Sequence, residues 1–228
     1  MIHYEDLSIV YRQEKQTIME IIAHRGFWKT DVEKNQKEAF LRAADNHIGS
    51  ETDFRDYMEK LVISHNVADR TCLSADDFFA IYKGTRSTLA LNIKADGIQY
   101  LLKELLNKNN ITNFFCFDMS IPDTLEYIKS GLKFFVRESE YETINDLYDK
   151  ADGVWADGFE GDEWITKDYI KTHRNKGKRV CIVSSDLHKR DYSSLWERLK
   201  DKEILDDGGV ILCTDYPDKA KEFFYGKD

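Results

Sequence analysis

The feature that most constrains the fold is a repeated alternation of short apolar runs with amphipathic stretches along the chain. Eight runs, rich in β-branched and aromatic residues, have the composition and length typical of strands. They cover residues 17–24, 48–54, 88–94, 113–119, 133–138, 153–158, 179–185 and 209–215. Because strands that alternate with helices form mainly parallel sheets, this pattern predicts an α/β fold.

The amphipathic stretches between these runs predict the connecting helices. Apolar residues recur at helical spacing in 35–47, 97–108, 122–131 and 167–177. Ser74, with Asp77 three residues later, is a predicted N-cap for another helix that starts at residue 75.

Chain length favours one of two architectures that contain these elements. The 228 residues are close to the roughly 250 of a typical (β/α)8 TIM barrel. A doubly wound open sheet is the alternative, because the number of strands does not tell whether the sheet closes. The sequence contains no linker-like segment, internal repeat or low-complexity tract, so we predict a single domain over residues 1–228.

Composition excludes several classes of partner. The formal net charge of −9 disfavours nucleic acid and a stable hold on an anionic membrane, which both attract clustered Lys and Arg. No run approaches the roughly 20 apolar residues of a membrane span. Residues 1–15 lack the layout of a signal peptide, so we expect a cytoplasmic protein. Cys116, Cys181 and Cys213 lie in apolar runs and are predicted to be buried, reduced thiols.

Reactive side chains recur where the predicted strands end, which is the face on which barrel enzymes carry their chemistry. The first strand ends at His24 and Arg25, and the second carries Glu51 and Asp53. The later strand ends supply Asn92, Lys94, Asp118, Arg137, Trp155, Asp157, Ser184, Ser185 and Asp215. We expect these side chains to share one mouth of the barrel.

Their residue types suggest phosphate-ester chemistry. Glu51 and Asp53 are two residues apart on a strand, so they face the same side and are suited to Mg²⁺ or Ca²⁺. Their spacing alone favours a solvated sheet edge, and the histidines at the neighbouring strand ends favour the metal site. A histidine beside them can exchange a proton near neutral pH. Arg25 and Lys94 can bind a phosphate, Arg25 through its fork of donors and Lys94 as a point charge.

An ordered set of motifs resembles a known family. The set consists of AHRG at 23–26, Asn35 with Ala39 and Phe40, Ala43 with Gly49, ETD at 51–53, LVISH at 61–65 and TDYP at 214–217. It resembles the signature of the glycerophosphodiester phosphodiesterases, mainly over residues 20–66. The resemblance implies a TIM barrel and a phosphodiesterase that depends on a divalent metal ion.

Carried over position by position, the resemblance assigns roles to five residues. His24 and His65 become the acid and base pair, and Arg25 contacts the phosphate. Glu51 and Asp53 become ligands of Mg²⁺ or Ca²⁺.

The chain also departs from the family pattern. Asn92 stands where the family has a third metal-binding carboxylate, while Lys94 is retained. Residues 34–36 read Lys-Asn-Gln instead of Glu-Asn-Thr, and Asn66 replaces the Asp that usually follows the second histidine. The segment after His65 is short. We therefore include Asn92 in the predicted metal set and expect a weak site, and the competing interpretation is that Lys94 replaces the ion.

Other polar residues at the strand ends have two interpretations each. Arg137 binds a second anionic group of the substrate or is an ion-pair partner within the framework. Trp155 forms the floor of the substrate pocket or closes the barrel. His47, His173 and His188, near helix ends, are predicted to lie on the surface, as is His3 near the terminus.

The sequence thus predicts a metal-dependent phosphodiester hydrolase that acts on a small glycerophosphodiester or a related diester. One alternative is a catalytically silent barrel that binds a phosphorylated ligand, which the loss of a carboxylate at Asn92 suggests. The other is a phosphodiesterase for a glycan- or lipid-linked diester in surface-polysaccharide metabolism, which the short segment after His65 suggests.

Overall fold

A computed structural model of the chain describes residues 18–226. The terminal segment 1–15 and His3 lie outside these residues, as does the first position of the predicted strand 17–24. Ten strands are present in the described part of the chain. In order they are β1 (Glu20–His24), β2 (Gly49–Tyr57), β3 (Lys60–Ile63), β4 (Leu73–Ser74), β5 (Leu89–Ile93), β6 (Phe114–Phe117), β7 (Phe135–Glu138), β8 (Gly153–Ala156), β9 (Arg179–Val183) and β10 (Val210–Thr214).

Eight of these strands form a closed parallel barrel. The order around it is β1, β2, β5, β6, β7, β8, β9, β10 and back to β1. The ring closes between β6 and β7 through a parallel bridge of Cys116 and Phe134, where the Cys116 N–H donates to the Lys133 carbonyl at 2.9 Å. The predicted TIM barrel is confirmed, and closure excludes the doubly wound open sheet.

Helices cover the outside of the barrel. The five predicted helices form at their predicted places, and in the described chain three more follow β9 and β10. In chain order the helices are α1 (Lys37–Asp45), α2 (Ala75–Tyr82), α3 (Gln99–Lys108), α4 (Ile121–Ser130), α5 (Lys167–Asn175), α6 (Ser193–Leu199), α7 (Lys202–Leu205) and α8 (Pro217–Tyr225). Ser74 caps α2 as predicted, because its hydroxyl accepts from the Asp77 N–H at 3.1 Å. Between β7 and β8 the described chain has a single 3₁₀ turn, Tyr148–Lys150, in place of an α-helix. No helix in the stretch 18–226 is both long and apolar enough to span a membrane.

Beyond the barrel, β2 continues into an antiparallel hairpin that the strand pattern did not predict. β2 pairs with β3, which in turn pairs with β4. The register brings the chain after β3 back level with the end of the barrel, where the Ser64 N–H donates to the Asp53 carbonyl at 2.9 Å. The hairpin therefore returns His65 to the mouth.

Aromatic side chains fill the inside of the barrel below that mouth. Phe115 stacks on Phe135 with ring centroids 3.7 Å apart, and Phe117 stacks on Trp155 at 4.0 Å. Cys116, Cys181 and Cys213 are buried free thiols, as predicted. Because this layer is packed, the polar groups above it lie on an apolar floor that excludes water from below.

The opposite end of the barrel is closed by a buried polar network. The Arg179 guanidinium lies 2.9 Å from Glu20 and donates to the Thr88 hydroxyl at 3.0 Å, and that hydroxyl also bonds to Glu20. Charged groups at the amino-terminal end of barrel strands serve stability, so the chemistry is expected at the other end.

Candidate active site

His24 at the end of β1 is paired with Asp215, the first residue after β10. The two strands are in register through Ala23 and Thr214, which places the following residues side by side. His24 Nδ1 lies 2.7 Å from Asp215 Oδ1, and both side chains are mostly buried. The ionised Asp215 carboxylate accepts a hydrogen bond from His24 Nδ1–H. This fixes the tautomer in which Nε2 carries no proton and can take one. Asp215 was noted as a strand end but not predicted as this partner.

Asp215 is itself held in place by a neighbouring acidic residue. The backbone N–H of Asp215 donates to Asp186 at 2.7 Å, and the Thr214 hydroxyl donates to the same carboxylate at 3.0 Å. The Thr214–Asp215 pair of the TDYP motif therefore has a structural role, because both residues bind Asp186. Burial raises the pKa of Asp186.

Glu51 and Asp53 lie next to His24, and both are almost fully buried at 2% and 0% exposure. Burial, together with the neighbouring Asp53 charge, raises the pKa of Glu51 to about 7. His24 opposes this rise, with its Nε2 atom 3.9 Å from Glu51 Oε2. Two buried carboxylates this close are stabilised by positive charge, either from side chains or from a cation.

Asn35 fixes the orientation of Asp53. It lies in the left-handed backbone region with φ of 61°, and it is buried. Its amide donates to Asp53 Oδ2 at 2.9 Å, and its carbonyl oxygen accepts from the Thr52 hydroxyl at 2.7 Å. The asparagine kept from the family's Glu-Asn-Thr pattern therefore supports a carboxylate of the site.

The chain leaves β1 through a sharp turn that presents Arg25. Arg25 has φ of 56° and is held by its N–H to the Glu51 carbonyl (2.9 Å), while its own carbonyl accepts from the Asn35 N–H (3.0 Å). A non-glycine residue in this conformation costs about 1–2 kcal/mol. Gly26 follows with φ of 83°, and a Cβ there would lie 2.9 Å from the Ala39 side chain. Within the AHRG motif, Gly26 is therefore required because a larger residue would not fit, whereas His24 and Arg25 supply the reactive side chains.

Two cations surround Asp53. Arg25 Nε lies 3.2 Å from Oδ2, and Lys94 Nζ lies 3.7 Å from Oδ1. Lys94 also lies 3.6 Å from Asp118, whose second oxygen is 3.3 Å from Arg137. Burial raises the pKa of Asp118, and the charges of Arg137 and Lys94 oppose that rise. The predicted phosphate-binding cations are therefore gathered on one side of the mouth.

Arg137 has an additional partner that the sequence did not reveal. Its Nε donates to Glu142 at 2.8 Å, so it is ion-paired with Glu142 as well as with Asp118. It is about a third exposed, so an incoming phosphate can reach it. Its role as a phosphate ligand stays a prediction.

The residues present fit one divalent cation. Among residues 18–226 no group of three or more His, Cys, Asp or Glu side chains is arranged to hold a metal ion. The predicted set, however, includes an asparagine. Asp53 and Asn92 are register partners on β2 and β5, and Oδ1 of each is buried without a hydrogen-bond partner. With Glu51, these atoms offer oxygen ligands of the kind that Mg²⁺ and Ca²⁺ prefer. The Lys94 ammonium lies 3.7 Å from Asp53 Oδ1, so it would compete with a bound cation for this carboxylate.

His65 lies on the exposed rim of the mouth. Its imidazole Nδ1 is 3.1 Å from the Asn66 side chain, and its carbonyl accepts from Arg55 at 3.3 Å. Within the described residues the ring contacts neither His24 nor the carboxylates. Its predicted role in acid–base catalysis stays a prediction.

Trp155 lies beneath the mouth, not on its rim. It is 4% exposed and packs on Phe117, and its indole N–H points to Asp157 at 3.4 Å. The structure therefore places it as a floor that supports Asp157. Direct binding of substrate by Trp155 stays a prediction.

Two histidines predicted to lie on the surface are in fact packed, whereas His47 is exposed as expected. His173 is 4% exposed and bonds to the Tyr148 hydroxyl at 2.8 Å, because the last turn of α5 packs on the 3₁₀ turn. His188 lies 2.7 Å from Asp157 at the mouth. The signal available for His188 was its position in the loop that follows the carboxyl end of β9.

An open cleft of about 530 Å³ extends from Asp215. Aromatic and charged side chains line it, among them Trp28, Lys189, Arg190 and Tyr192. Because this space adjoins the His24 and Asp215 pair, it can receive part of a bound molecule.

Solved structures share this architecture. A glycerophosphodiester phosphodiesterase from Parabacteroides distasonis matches with a TM-score of 0.70 at 16% identity, over 92% of this chain and 98% of that one. One from Agrobacterium tumefaciens matches with 0.68 at 14%, over 91% and 97%. The chain has the fold of the glycerophosphodiester phosphodiesterases.

A third match was solved with a product bound. The Oleispira antarctica phosphodiesterase, in complex with sn-glycerol-3-phosphate, has a TM-score of 0.63 at 13% identity, over 90% of this chain and 96% of that one. No protein-family model and no curated protein matches the sequence. At these identities the likeness establishes the fold, and function has to be argued from the site.

Proposed function

We propose that the chain is a phosphodiesterase that hydrolyses a small phosphodiester, of which glycerophosphodiesters are the first candidates. The observation that carries this proposal is the pairing of His24 with Asp215 at 2.7 Å, directly beside the buried Glu51 and Asp53. An oriented histidine next to an acidic pair and two cations provides proton transfer and phosphate binding in one place.

In this proposal, His24 acts through its free Nε2 atom. It takes the proton of the nucleophile, which is water or a neighbouring hydroxyl of the substrate, while Asp215 stabilises the imidazolium that forms. Arg25 and Lys94 offset negative charge that develops around phosphorus in the transition state. The resemblance names His65 only as the other member of the acid and base pair, without fixing which histidine is the acid.

The proposed cofactor is Mg²⁺ or Ca²⁺, held by Glu51, Asp53 Oδ1 and Asn92 Oδ1. When bound, such an ion neutralises phosphate charge and polarises the phosphorus–oxygen bonds. Support comes from the two orphaned oxygens on neighbouring strands and from Glu51, a buried carboxylate two residues from Asp53 on the same strand. Because one ligand is a neutral amide, we expect weak binding that improves when an anionic substrate is present.

A screen of turnover tests this function. Wild type is incubated with glycerophosphodiesters and bis(p-nitrophenyl) phosphate, with and without Mg²⁺ or Ca²⁺, and alcohol release is measured. The His24→Ala variant is expected to lose about 10²- to 10⁴-fold in rate, the usual contribution of a positioned acid or base. His47→Asn, at an exposed site, is the matched control. Phosphate binding by wild type without turnover of any diester would support the silent barrel instead.

The cleft beside Asp215 favours a second candidate, a phosphodiesterase for a diester linked to a glycan or lipid. Its volume of about 530 Å³ and its aromatic side chains Trp28 and Tyr192 can accommodate an alcohol larger than glycerol, since the carbon–hydrogen faces of sugars pack on aromatic rings. A Tyr192→Ala variant distinguishes the two candidates. If diesters of large alcohols are the substrates, Tyr192→Ala is expected to raise the KM for these diesters and to leave the KM for glycerophosphodiesters unchanged.

A further inference from the structure

A second histidine–carboxylate pair faces the same mouth and has no role in the function proposed above. His188 Nε2 lies 2.7 Å from Asp157 Oδ1. Asp157 follows β8, and His188 ends the 3₁₀ turn Ser185–His188 that follows β9. Both positions lie beyond the carboxyl ends of barrel strands, the same end as His24.

The pair is held by its surroundings. Asp157 is 7% exposed, its backbone N–H donates to the Glu138 carbonyl at 2.9 Å, and its second oxygen accepts from the Trp155 indole. The imidazole of His188 meets the Phe159 ring at a centroid distance of 5.2 Å. Since the partner carboxylate and the ring face are both fixed, the imidazole has one preferred orientation, with Nδ1 as the nitrogen that is not engaged by Asp157.

The contrast with His65 is chemical. His65 is exposed and its ring partner is the neutral amide of Asn66 at 3.1 Å. An amide does not stabilise a positive imidazolium, whereas the carboxylate of Asp157 does. Of the two histidines, His188 is therefore the one whose ring is oriented by a charged partner.

The pair also borders the phosphate-binding side of the mouth. The Arg137 guanidinium lies 5.7 Å from the centroid of Phe159, the ring that His188 contacts, and 3.3 Å from Asp118. In the barrel order β10 and β9 separate β1 from β8. A phosphate on Arg137 and Lys94 would therefore lie between the β1 side of the mouth, which carries His24, and the side after β8 and β9, which carries the His188–Asp157 pair.

We propose that His188 is the acid that protonates the leaving alcohol, with Asp157 as its positioning residue; this rests on the proposed phosphodiester hydrolysis. As the nucleophile's oxygen bonds to phosphorus, its proton passes to Nε2 of His24. The phosphorus–oxygen bond to the alcohol breaks and leaves its electron pair on that oxygen. The oxygen then takes the proton from Nδ1 of His188, and both histidines return to their starting forms by exchanging a proton with water.

The dependence of rate on the leaving alcohol tests this role. Two diesters of glycerol 3-phosphate are compared, one with p-nitrophenol and one with ethanol as the second alcohol. Nitrophenolate departs without a proton, whereas ethoxide needs one. His188→Gln is therefore expected to lower kcat for the ethyl diester about 10²- to 10³-fold and to have much less effect on the nitrophenyl diester. Asp157→Asn is expected to show the same selectivity with a smaller loss.

The nitrophenyl diester also reports folding, because a misfolded variant loses both activities together. His65→Gln is the matched variant and is expected to lack selectivity between the two diesters. In a His188→Gln variant whose thermal unfolding matches that of wild type, an equal loss on both substrates or no loss on either overturns the assignment. A selective loss in His65→Gln overturns it as well. A wild type that cleaves neither diester overturns the proposed function itself, and the role of His188 with it.

Discussion

His24 and Asp215, with Nδ1 and Oδ1 2.7 Å apart, join the first and last strands of the barrel at its mouth. The two residues are 191 positions apart in the chain. Their contact exists because the first strand pairs in parallel with the last one, β10. Pairing of these two strands therefore also assembles the proposed proton-transfer site.

Replacing Asp215 by Asn keeps the shape of the pair and removes its charge. We expect kcat to fall about 10²- to 10⁴-fold, because the histidine loses the partner that fixes its tautomer and stabilises its protonated form. Thermal unfolding should change little. Asp218→Asn is the control, because Asp218 is exposed and its ion pair with Lys29, at 3.5 Å, lies on the surface. Similar kinetics in the two variants would contradict a role for Asp215 in proton transfer.

Asn35→Gly tests the support of Asp53. Glycine keeps the left-handed backbone and removes both side-chain hydrogen bonds, to Asp53 and from Thr52. We expect the free energy of unfolding to fall by about 1–3 kcal/mol, the usual effect of leaving buried polar groups unpaired. We also expect kcat/KM to fall, because Asp53 loses a contact that orients it.

The same substitution at Asn110 provides the control for Asn35. Asn110 has φ of 55° and is exposed, so Asn110→Gly changes the same backbone conformation far from the mouth. Denaturant unfolding and steady-state kinetics are measured for both variants. A stability loss in Asn35→Gly without any loss of activity would limit Asn35 to a structural role.

Much of the fold follows from the sequence because its signals are local. Each barrel strand lies within its predicted run except β2, which continues past the predicted end at residue 54 to Tyr57. The Ser74 cap follows from two residues three positions apart. The hairpin of β3 and β4 was not predicted as strands, since β4 has only two residues. The hairpin forms because β3 pairs with the end of β2. Pairing between two strands is not a local signal, so the sequence pattern does not show it.

The site was harder to predict wherever a contact joins distant strands. Glu51 and Asp53 share a face because of strand periodicity, which the sequence shows. That Lys94 lies 3.7 Å from Asp53 depends on the register of β2 with β5, which the sequence does not show. His173 and His188 were assigned to the surface because charged residues near helix ends usually face water, whereas here each packs against another element.

The burial of His173 predicts a dependence of stability on pH. Burial is the main reason that the pKa of His173 is lowered, and the charge of Lys176 adds to it. Below about pH 6.5, the ordinary value, the unfolded chain binds a proton that the folded chain resists. The stability that neutral His173 allows is therefore present above this pH and is lost as pH falls through it.

Glu138 complicates that measurement. Its carboxylate lies 3.6 Å from His173 Nε2, a distance that would suit an ion pair. Burial, however, raises the pKa of Glu138 and lowers the pKa of His173. We therefore expect both side chains to favour their neutral forms. A buried acid loses stability as pH rises, the opposite sign. The comparison is therefore Glu138→Gln against Glu138→Gln with His173→Phe, by urea unfolding from pH 5 to 8. The double variant should lose less stability towards pH 5, and parallel curves would contradict the prediction.

The last prediction concerns the cation and rests on Asn92. The orphaned oxygens of Asp53 and Asn92 lie on paired positions of β2 and β5, and ligand charge increases divalent-cation affinity. Asn92→Asp should therefore bind Mg²⁺ and Ca²⁺ more tightly than wild type in a calorimetric titration. Asn46→Asp, which adds the same charge at an exposed site, should not.

The competing interpretation makes Lys94 a permanent substitute for the ion, since its ammonium lies near both Asp53 and Asp118. In that case an added carboxylate at position 92 pairs with Lys94 and the affinity for Mg²⁺ and Ca²⁺ does not change. Turnover after exhaustive chelation separates the two interpretations independently of binding. Saturable activation of the wild type by a divalent ion supports the weak site. Activity that survives chelation, with no gain in Asn92→Asp, would assign the charge to Lys94 alone.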